Sequence, residues 1–597
     1  MKLIDVAELS PKLQGTLGSA VERLLGFDDI NACYTRAQAG ESPQGFLRNC
    51  LDELGIREEV QGHENLQAIV QGPCIVVANH PFGGVEAILF LHLLRQVRPD
   101  AIVMANYLLQ RVPEVAEGIL PVDPFGRELS AKSNIAAMRR ALQHLRNGGV
   151  LGVFPSGTVS HWHMSQGSVT DPKWSPHVAS LIQKAGVPVL PVYFHGRNGW
   201  GFQMAGLIHP MIRTALLPRE LLNKRGRSIK VTVGKVISQR QLMRFDSRER
   251  LTSLVRASTY LLKDSHTVEA AHISDAEMAP LDSAIDPEIL AQEIAALPSE
   301  AKILTKQGFE VYLIRRDQGP SLVQEIGRLR ELTFRSVGEG TGKSADLDAF
   351  DDYYEHLLLW SPDEEAIVGA YRMARVDRVL DAHGLSGLYT ATLYKFKPGF
   401  LKRLGGSVEL GRSFIVKRHQ KQRHSLMLLW CGICAFVSKN PQYHTLFGPV
   451  SMSQDYTSLS KQLLVWFFKR SHRHPILSRL VKAHRPFEED DSLSKQKSLI
   501  SDCIQSVDDV SALMSEFEQD GKGVPVLFKQ YLKMNALLLS FSVDDSFSNV
   551  LDGLVVADLR TASPRILRRY FGDEGLAAFL EFHRDSLERD PESPESL

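Results

Sequence analysis

His80 and Glu86 are residues whose types and spacing fit acid–base chemistry. They lie in the segment NHPFGGVE (79–86), which directly follows an apolar, strand-like run. A carboxylate near an imidazole can fix its tautomer, and Gly83 and Gly84 let the backbone approach a ligand closely. The pattern indicates a general base at the end of a strand, although a helix-capping turn with an incidental histidine has the same composition.

Three further motifs follow this segment in order. They are GILPVD (118–123), FPSGTVS (154–160) and VPVLPV (187–192). Together with the histidine segment they resemble the glycerolipid (lysophosphatidic acid type) acyltransferase family over about residues 65–240. The resemblance implies that His80 deprotonates an acceptor hydroxyl, which then attacks an acyl thioester. It also implies substrate contacts at Gly83, Gly84, Gly118, Pro121, Asp123, Pro155, Ser156, Gly157 and Thr158.

Two positions depart from the pattern of that family. The acid after the histidine is Glu86, one residue later than the family's aspartate, so its longer side chain must span the difference. Ser156 replaces the usual glutamate, which weakens the expectation of a phosphorylated acceptor. We predict His80 as the base, Glu86 as its partner, and backbone amides near the glycine turns as donors to the oxyanion.

Two pairs of histidines or cysteines offer other chemistry. His161 and His163 are rivals for a base or a metal pair, but no third ligand follows, so we expect them to line the acceptor pocket or to pack against Trp162. Cys431 and Cys434 form a CxxC inside an apolar run of helical length. The sequence therefore predicts no metal site and no bound cofactor.

The second half carries a different arrangement of charges. A strand-like run, VELGRSFIV (408–416), contains Glu409 and Arg412 and leads into the cationic segment KRHQKQRH (417–424) and then a helix. This order has the shape of the acyl-donor site of GNAT proteins. Within that superfamily the chain resembles acyl-homoserine-lactone synthases and ornithine-lipid N-acyltransferases over about residues 309–460. The residues that carry the resemblance are Arg330, Phe334, Asp348, Asp351, Arg372, Glu409 and Arg412, with the phrases GTGKSADLDAFDDYYEHLLLW and LFGPVSMSQDY.

Glu409 is the predicted base for an amine, acting directly or through water. The alternative is a buried ion pair of Glu409 with Arg412 or Arg372 that holds the sheet together. The cationic segment lacks the glycines of a coenzyme A pyrophosphate loop, which favours a pantetheine carried on acidic acyl carrier protein as the donor. The string GTGKS (340–344) is no P-loop, because Val337 stands where the first glycine belongs.

The pattern of elements predicts an α/β chain with two domains. Apolar strand-like runs alternate with helical periods in the first half and return after a segment rich in Ala, Glu, Asp and Pro. In the second half we expect strands at FEVYLI (309–314), AIVGAYRMA (366–374) and LYTATLY (388–394). The expected limits are 1–265 for a glycerolipid-acyltransferase α/β domain, 266–300 for a linker, 301–583 for a GNAT-like mixed α/β domain and 584–597 for a disordered tail.

Composition sets wider limits. At 597 residues the chain exceeds a single core, and its 69 basic and 69 acidic residues give no net charge, so we expect no nucleic-acid partner. The cysteine spacing fits a reducing cytoplasm, and we expect no signal peptide and only peripheral contact with the inner face of a bacterial cytoplasmic membrane. The segment LLVWFFKR (463–470) is a candidate docking surface or an ordinary core helix.

The two halves joined resemble the bifunctional ornithine-lipid synthases of bacteria. The resemblance implies that the GNAT-like half N-acylates ornithine with a 3-hydroxyacyl chain and that the other half acylates the hydroxyl of that chain. Acyl carrier protein, an amino acid and a lyso-aminolipid are the partners expected. The alternatives are glycine, lysine or glutamine as the acceptor, a single-activity lysophospholipid acyltransferase with an accessory domain, and a membrane-surface scaffold or haemolysin-like effector.

Overall fold

The computed structural model describes residues 26–38, 42–106, 109–110, 112–122, 128–164, 167–208, 210–264, 278–422, 424–489, 497–547 and 549–588. Contacts within the chain divide it into two units. The first combines Met1–Thr267 with Asp491–Gly523, and the second combines Val268–Asp490 with Val524–Leu597. Both units are mixed α/β, which confirms the predicted fold class.

The first unit is built on a seven-stranded sheet in the order β1-β9-β8-β2-β5-β3-β4. Its described strand pairs are parallel except for β8 with β9. Strand β2 lies between β8 and β5, and all five of its residues are buried, as expected for an apolar strand covered on both faces. The strands are Arg57–Gln61 (β1), Cys74–Ala78 (β2), Ile102–Asn106 (β3), Ile119–Val122 (β4), Val150–Val153 (β5), Val189–Phe194 (β8) and Ser228–Val233 (β9), with the separate hairpin His161–His163 (β6) and Ser168–Thr170 (β7).

Helices cover this sheet and connect its strands. Helix Val85–Val97 begins seven residues after β2 ends, so the intervening turn holds the histidine segment. The other α-helices of this part of the chain are Phe27–Ala37, Pro43–Glu53, Pro113–Ala116, Glu128–Arg146, His177–Ala185, Trp200–Ile208, Pro210–Leu222, Gln239–Leu242 and Arg248–Leu261.

Residues 491–523 add two helices to the first unit, Lys497–Cys503 and Val507–Phe517. They pack against helix Arg248–Leu261, from which Arg250 donates to the Cys503 carbonyl at 3.2 Å and pairs with Asp509 at 3.3 Å. Residues so distant in sequence give no local signal that they pack together, and the predicted domain limits place residues 491–523 in the second domain instead. The other predicted limits remain predictions.

The second unit is built on an eight-stranded sheet in the order β10-β11-β12-β13-β15-β16-β19-β18. Every described pair is antiparallel except β15 with β16. The strands are Lys302–Lys306 (β10), Phe309–Ile314 (β11), Glu355–Ser361 (β12), Ala366–Arg375 (β13), Ser407–Ile415 (β15), Thr445–Met452 (β16), Leu537–Asp544 (β18) and Val550–Asp558 (β19), with the separate pair Tyr394–Phe396 (β14) and Val481–Ala483 (β17).

The parallel strands β15 and β16 separate along their length. Their described pairing runs from Ser407 opposite Thr445 to Glu409 opposite Phe447, although both strands continue beyond that point. A bulge lies in the separated part of β15, where the register against β13 shifts and Arg412 has a φ of 47°. Bulges bend a strand and re-aim its side chains. The gap between the two strands is therefore a place for a ligand.

The α-helices of the second unit are Pro287–Ala296, Pro320–Arg335, Val376–His383, Thr390–Leu393, Phe400–Leu404, Lys417–Gln420, Ser425–Lys439, Ser458–Ser471, Val526–Lys533 and Pro564–Glu588. The strand predicted at 388–394 is wrong over most of its length, because Thr390–Leu393 is helical and β14 starts only at Tyr394. The last helix includes the first five residues of the predicted tail, and 589–597 lie outside the described residues.

Helix Ser458–Ser471 decides between the two interpretations of residues 463–470. Leu463, Leu464 and Val465 are fully buried, Phe467 and Phe468 are 1% exposed, and Trp466 is 9% exposed. This is a core helix, so the predicted docking surface is wrong. Among the described residues, no helix combines the length and the apolar character that crossing a bilayer requires.

Burial of Glu516, in helix Val507–Phe517, gives a stability prediction for the first unit. Burial raises its pKa from 4.5 to about 8, against the opposing effect of neighbouring Ser258. Folding therefore binds a proton between these pH values, and stability falls as pH rises through that window. We expect Glu516→Gln to raise the melting temperature by roughly 2 °C or more at neutral pH.

Calorimetry of the full chain at several pH values tests this expectation. The advantage of the Glu516→Gln variant should grow between about pH 5 and about pH 8 and then stay constant. The exposed Glu64→Gln is the matched control and should follow the parent at every pH. If the Glu516→Gln variant and the parent have the same melting temperature at pH 8, the claim that ionising this buried carboxyl destabilises the fold is wrong.

Candidate active sites

Asn79 anchors the turn that carries His80. Its amide nitrogen donates to the Phe194 carbonyl at 2.9 Å, and its amide oxygen accepts from the Phe194 N–H at 2.7 Å. The residue after β2 is thereby tied to the end of the neighbouring strand β8 through both the N–H and the carbonyl of Phe194. The position of His80 follows from these two hydrogen bonds, because it is the next residue in the chain.

Glu86 reaches His80 in spite of the extra residue between them. Imidazole Nδ1 lies 2.9 Å from Glu86 Oε1, at ion-pair distance although outside ideal hydrogen-bond alignment. Burial alone would lower the pKa of His80, but the charge of Glu86 and the weaker field of Asp171 raise it overall. With Nδ1 turned towards Glu86, Nε2 is the nitrogen left to accept a proton from a substrate.

The Glu86 carboxylate also binds the backbone of the turn that precedes its helix. Oε1 accepts from the N–H groups of Phe82 at 2.7 Å and Gly83 at 2.6 Å, and Oε2 accepts from Gly84 at 3.1 Å. Burial would raise the pKa of this fully buried carboxyl, but His80 and these amides lower it. A charged acceptor at the helix N-terminus satisfies amides that otherwise lack partners.

Asp171 is a member of this site that the motifs did not indicate. It is 1% exposed, and its Oδ1 accepts from Ser160 Oγ at 2.5 Å and from the His80 backbone N–H at 3.2 Å. Its Oδ2 accepts from Trp174 Nε1 at 2.9 Å. Asp171 thus ties the FPSGTVS motif to the histidine turn. A lone acid far from the motifs gave no signal in one sequence.

His80 opens onto a cavity of about 710 Å³. Its ring stacks on Phe154 with centroids 4.4 Å apart. The wall is mostly hydrophobic, which suits an acyl chain. The hydrophobic members are Ala87, Met104, Ala105, Leu109, Val122, Ile135, Met138, Val153, Phe154, Val159, Val178, Leu181, Phe202 and Leu217.

The structure brings together only some of the predicted contact residues. Gly83, Pro155, Gly157 and Thr158 line the cavity, and Ser156 Oγ donates to the Thr158 carbonyl at 2.8 Å in the same turn. Gly84 lies at the N-terminus of helix Val85–Val97, whereas Gly118 packs closely on the Arg95 guanidinium and Pro121 lies in β4. Asp123 lies outside the described residues.

The rival histidines lie in a hairpin, and the cysteine pair lies in a helix. The rings of His161 and His163 lie 4.4 Å apart in the β6–β7 hairpin, and Cys431 and Cys434 are buried in helix Ser425–Lys439. Within the described part of the chain, no cluster of three or more His, Cys, Asp or Glu residues is arranged to hold a metal ion.

Glu86 contacts His80 and also accepts hydrogen bonds from three backbone amides, so we expect one substitution of it to have two effects. Glu86→Gln keeps the size of the side chain but removes its negative charge. We expect the pKa of His80 to fall and the chain to lose about 1–3 kcal/mol of stability, because these amides lose a charged acceptor. NMR titration of labelled histidines and calorimetry measure these effects. Glu64→Gln should change neither, and an unaltered His80 titration in Glu86→Gln would show that the pair is not coupled.

A network of buried charges occupies the second unit. Arg330 and Asp351 are fully buried and pair at 2.8 Å, and Arg372 pairs with Asp351 at 3.1 Å and with Asp348 at 2.6 Å. Arg330, Arg372 and His356 lower the pKa of Asp351 against the effect of its burial. The structure brings these predicted residues together as an ion network. Arg330 of helix Pro320–Arg335 and Arg372 of β13 both bind the turn that carries Asp348 and Asp351.

Arg412 extends this network towards the gap between β15 and β16. Its guanidinium lies 3.2 Å from Asp346, and its Nη1 donates to the Tyr389 hydroxyl at 3.0 Å. Tyr389 in turn donates to Asp544 at 3.0 Å. The left-handed backbone of Arg412, which costs energy in a residue with a side chain, is held by these contacts.

Glu409 is fully surrounded by protein. Its Oε1 accepts from the Thr390 N–H at 2.7 Å, and its Oε2 accepts from the Tyr389 N–H at 3.2 Å and from the Tyr354 hydroxyl. Burial raises its pKa, although these donors and Arg372 oppose the rise. The predicted ion pair with Arg372 or Arg412 is replaced by this set of uncharged donors. Its role as a base stays a prediction.

The GTGKS string binds a carboxylate of the chain itself. The N–H groups of Thr341 and Gly342 donate to Glu331 at 2.9 Å and 2.8 Å, and Thr341 Oγ1 donates to the same carboxylate at 2.7 Å. These amides are the ones that a phosphate loop would direct at a nucleotide. Their use within the chain agrees with the exclusion of a P-loop.

A cavity of about 790 Å³ lies in the gap between β15 and β16. Arg412 to Ile415 form one side, and Pro449, Ser451 and Ser453 form another. Phe334 and Tyr389 also line it, together with Lys421 of the cationic segment. Two acids, Glu339 and Asp552, complete the polar part of the wall, and the motifs indicated neither of them. Glu409 is not among the lining residues.

Family models of known proteins match both halves of the chain. One described as "Acyltransferase" covers residues 5–269, and one described as "Acetyltransferase (GNAT) domain" covers residues 329–430. The structure and these matches define an acyltransferase that carries a GNAT domain in the same chain.

Three curated relatives place this class more narrowly. The "Glycine N(alpha)-acyltransferase" of Phocaeicola vulgatus is 30% identical over 295 residues, 47% of this chain and 89% of the relative. The "Lyso-glycine lipid O-acyltransferase" of the same species is 24% identical over 37% of this chain and 77% of the relative. The "L-ornithine N(alpha)-acyltransferase" of Agrobacterium fabrum is 24% identical over 41% of this chain and 78% of the relative. The chain belongs to the bifunctional aminolipid synthase family.

Proposed function

We propose that the chain makes an ornithine-type aminolipid in two steps. The second unit joins a 3-hydroxyacyl chain to the amino group of the amino acid, and the first unit then acylates the hydroxyl of that chain. The observation that carries the proposal is that each unit holds its own cavity beside its own acyltransferase motif. Two consecutive transfers need two such sites.

The first unit has the groups that transfer to oxygen requires. His80 Nε2 takes the proton of the hydroxyl, and the oxygen attacks the carbonyl carbon of an acyl thioester. Glu86 stabilises the imidazolium that forms, because its buried carboxylate lies 2.9 Å from Nδ1. The apolar cavity next to His80 holds an acyl chain, and Gly157 leaves room for the reacting groups near the backbone.

The second unit has the shape that transfer to nitrogen requires. The gap between β15 and β16 admits an extended pantetheine arm, and Lys421 and Arg569 on the cavity wall attract the anionic donor. Another cation of the segment is partly neutralised, because Arg418 pairs with Glu364 at 2.8 Å, and His419 Nε2 lies 3.1 Å from the same carboxylate. We take acyl carrier protein as the donor and peripheral contact with the inner membrane face as the source of the lipid intermediate.

Glycine is the second candidate for the acceptor. It is favoured by the relative from Phocaeicola vulgatus, whose name states that it acylates glycine. Ornithine is favoured by the phrases shared with ornithine-lipid N-acyltransferases.

Lipid analysis of a bacterium without aminolipids that expresses the chain tests the proposal. We expect a two-chain aminolipid from the parent, whose mass identifies the amino acid. His80→Ala should accumulate the single-chain precursor, because the hydroxyl loses its base. Arg412→Gln should yield neither lipid, because the wall of the second cavity loses its anchored cation.

The exposed His63→Ala is the matched control for the first unit and should give the parent's lipids. A parent that is present in normal amount and makes no aminolipid would contradict the proposal. Altered acylation of phospholipids in those cells would instead support a single-activity lysophospholipid acyltransferase.

A further inference from the structure

Glu339 and Asp552 form an acidic pair on the wall of the second cavity. We propose that this pair is the subsite for the amino group of the acceptor, in which Glu339 takes the proton that the amine must lose before it attacks the thioester. The inference rests on the proposed N-acylation. It assigns the proton transfer to a residue outside the motifs and leaves Glu409 as a positioning residue.

The strand register brings the two acids to the same place. Ser451 Oγ donates to Glu339 Oε2 at 3.1 Å, which fixes the glutamate against β16. Ser451 lies directly opposite Asp552 in the antiparallel pairing of β16 with β19. Side chains of directly opposed residues project from the same face of a sheet. Glu339 and Asp552 therefore face the same part of the cavity that they line.

Burial makes Glu339 suitable for accepting a proton from an ammonium. Glu339 is 7% exposed and Asp552 is 5% exposed. Burial raises the pKa of Glu339 to about 7, with Asp455 adding to the rise and Ser451 and Arg412 opposing it. Burial and the nearby acids Asp544 and Glu339 also raise the pKa of Asp552. A carboxyl that titrates near neutral pH is a better base than an ordinary one.

A second observation points to a polar ligand in this cavity. The side chain of Tyr371 is 1% exposed and lines the wall, and its hydroxyl has Ser413 and Trp430 nearby but makes no well-aligned hydrogen bond within the described part of the chain. A buried hydroxyl without a partner is costly, and a polar group of a bound acceptor or donor removes that cost. The cavity therefore has an unused polar contact as well as the two acids.

Glu409 is less suited to the proton transfer. Three donors already occupy its two oxygens, and it does not line the cavity. Its contacts fix the turn that carries Tyr389, which does line the cavity. Glu409 therefore acts on the site through Tyr389.

The chemical step balances without another reactant. The ammonium gives one proton to the Glu339 carboxylate, and the freed nitrogen pair attacks the thioester carbonyl carbon to form the C–N bond. The C–S bond breaks when the tetrahedral intermediate collapses. The leaving thiolate takes a second proton from the nitrogen and becomes a thiol. Glu339 then releases its proton to solvent.

Rates of N-acylation by the purified full chain test the inference. The probes are 3-hydroxypalmitoyl acyl carrier protein with ornithine or with glycine, and mass spectrometry measures the N-acylated product from about pH 6 to about pH 9. The parent's kcat/KM should rise with pH through about 7, because Glu339 must be deprotonated to act. Glu339→Gln should lower kcat/KM by roughly 100-fold and abolish that rise.

Three further variants separate the roles. Glu409→Gln should be slower but keep the rise with pH, as a positioning residue does. The exposed Glu574→Gln should match the parent. If Glu339→Gln fails to fold, Glu339→Asp should retain the rise at a reduced rate.

The possible failures are distinguishable. An active parent with a Glu339→Gln variant that keeps both its rate and its rise with pH would overturn the inference alone. Loss of the rise in Glu409→Gln, with Glu339→Gln unaffected, would return the base to Glu409. A parent that acylates neither amino acid would overturn the proposed N-acylation and this inference with it.

Discussion

A buried carboxylate that collects backbone N–H donors organises the structure around both sites. Glu86 has no exposed surface, and three consecutive amides of the histidine turn donate to it while it faces His80. A buried charge is tolerated only when it is paired and hydrogen-bonded. The turn, the first residues of the helix and the imidazole are consequently fixed relative to one carboxyl group. Glu409 fixes the turn at Tyr389 and Thr390 in the second unit in the same way.

The two cavities differ in the way their proposed reactions differ. The wall beside His80 is mostly hydrophobic, and its chemistry needs one base, because a hydroxyl carries no charge to be neutralised. The gap between β15 and β16 brings Arg412, Glu339 and Asp552 to one space, as an ammonium acceptor and an anionic donor require. The bulge at Arg412 connects this space to the buried ions of Asp346 and Arg372, so the sheet and the site depend on the same charges.

The sequence predicted the parts of this structure that have local signals. The strand Cys74–Ala78, the helix around Cys431 and the contact of Glu86 with His80 follow from apolar runs and short spacings. Asp171, Glu339 and Asp552 were missed, because they join their sites only through strand pairing and long loops. The strand expected at residues 388–393 was wrong, and residues 463–470 were left open between two interpretations, for a related reason: aromatic and apolar runs do not show whether they face a neighbour, a bilayer or the core.

The central claim is that each unit performs one of two consecutive transfers, and synthetic single-chain N-(3-hydroxyacyl)ornithine tests it most directly. It is supplied with an acyl thioester to the purified Arg412→Gln and His80→Ala variants, and mass spectrometry detects the two-chain product. The account predicts that Arg412→Gln forms this product, because its first unit is intact, and that His80→Ala does not. Equal conversion by both variants, or conversion by His80→Ala alone, would contradict the division of the reaction between the two units.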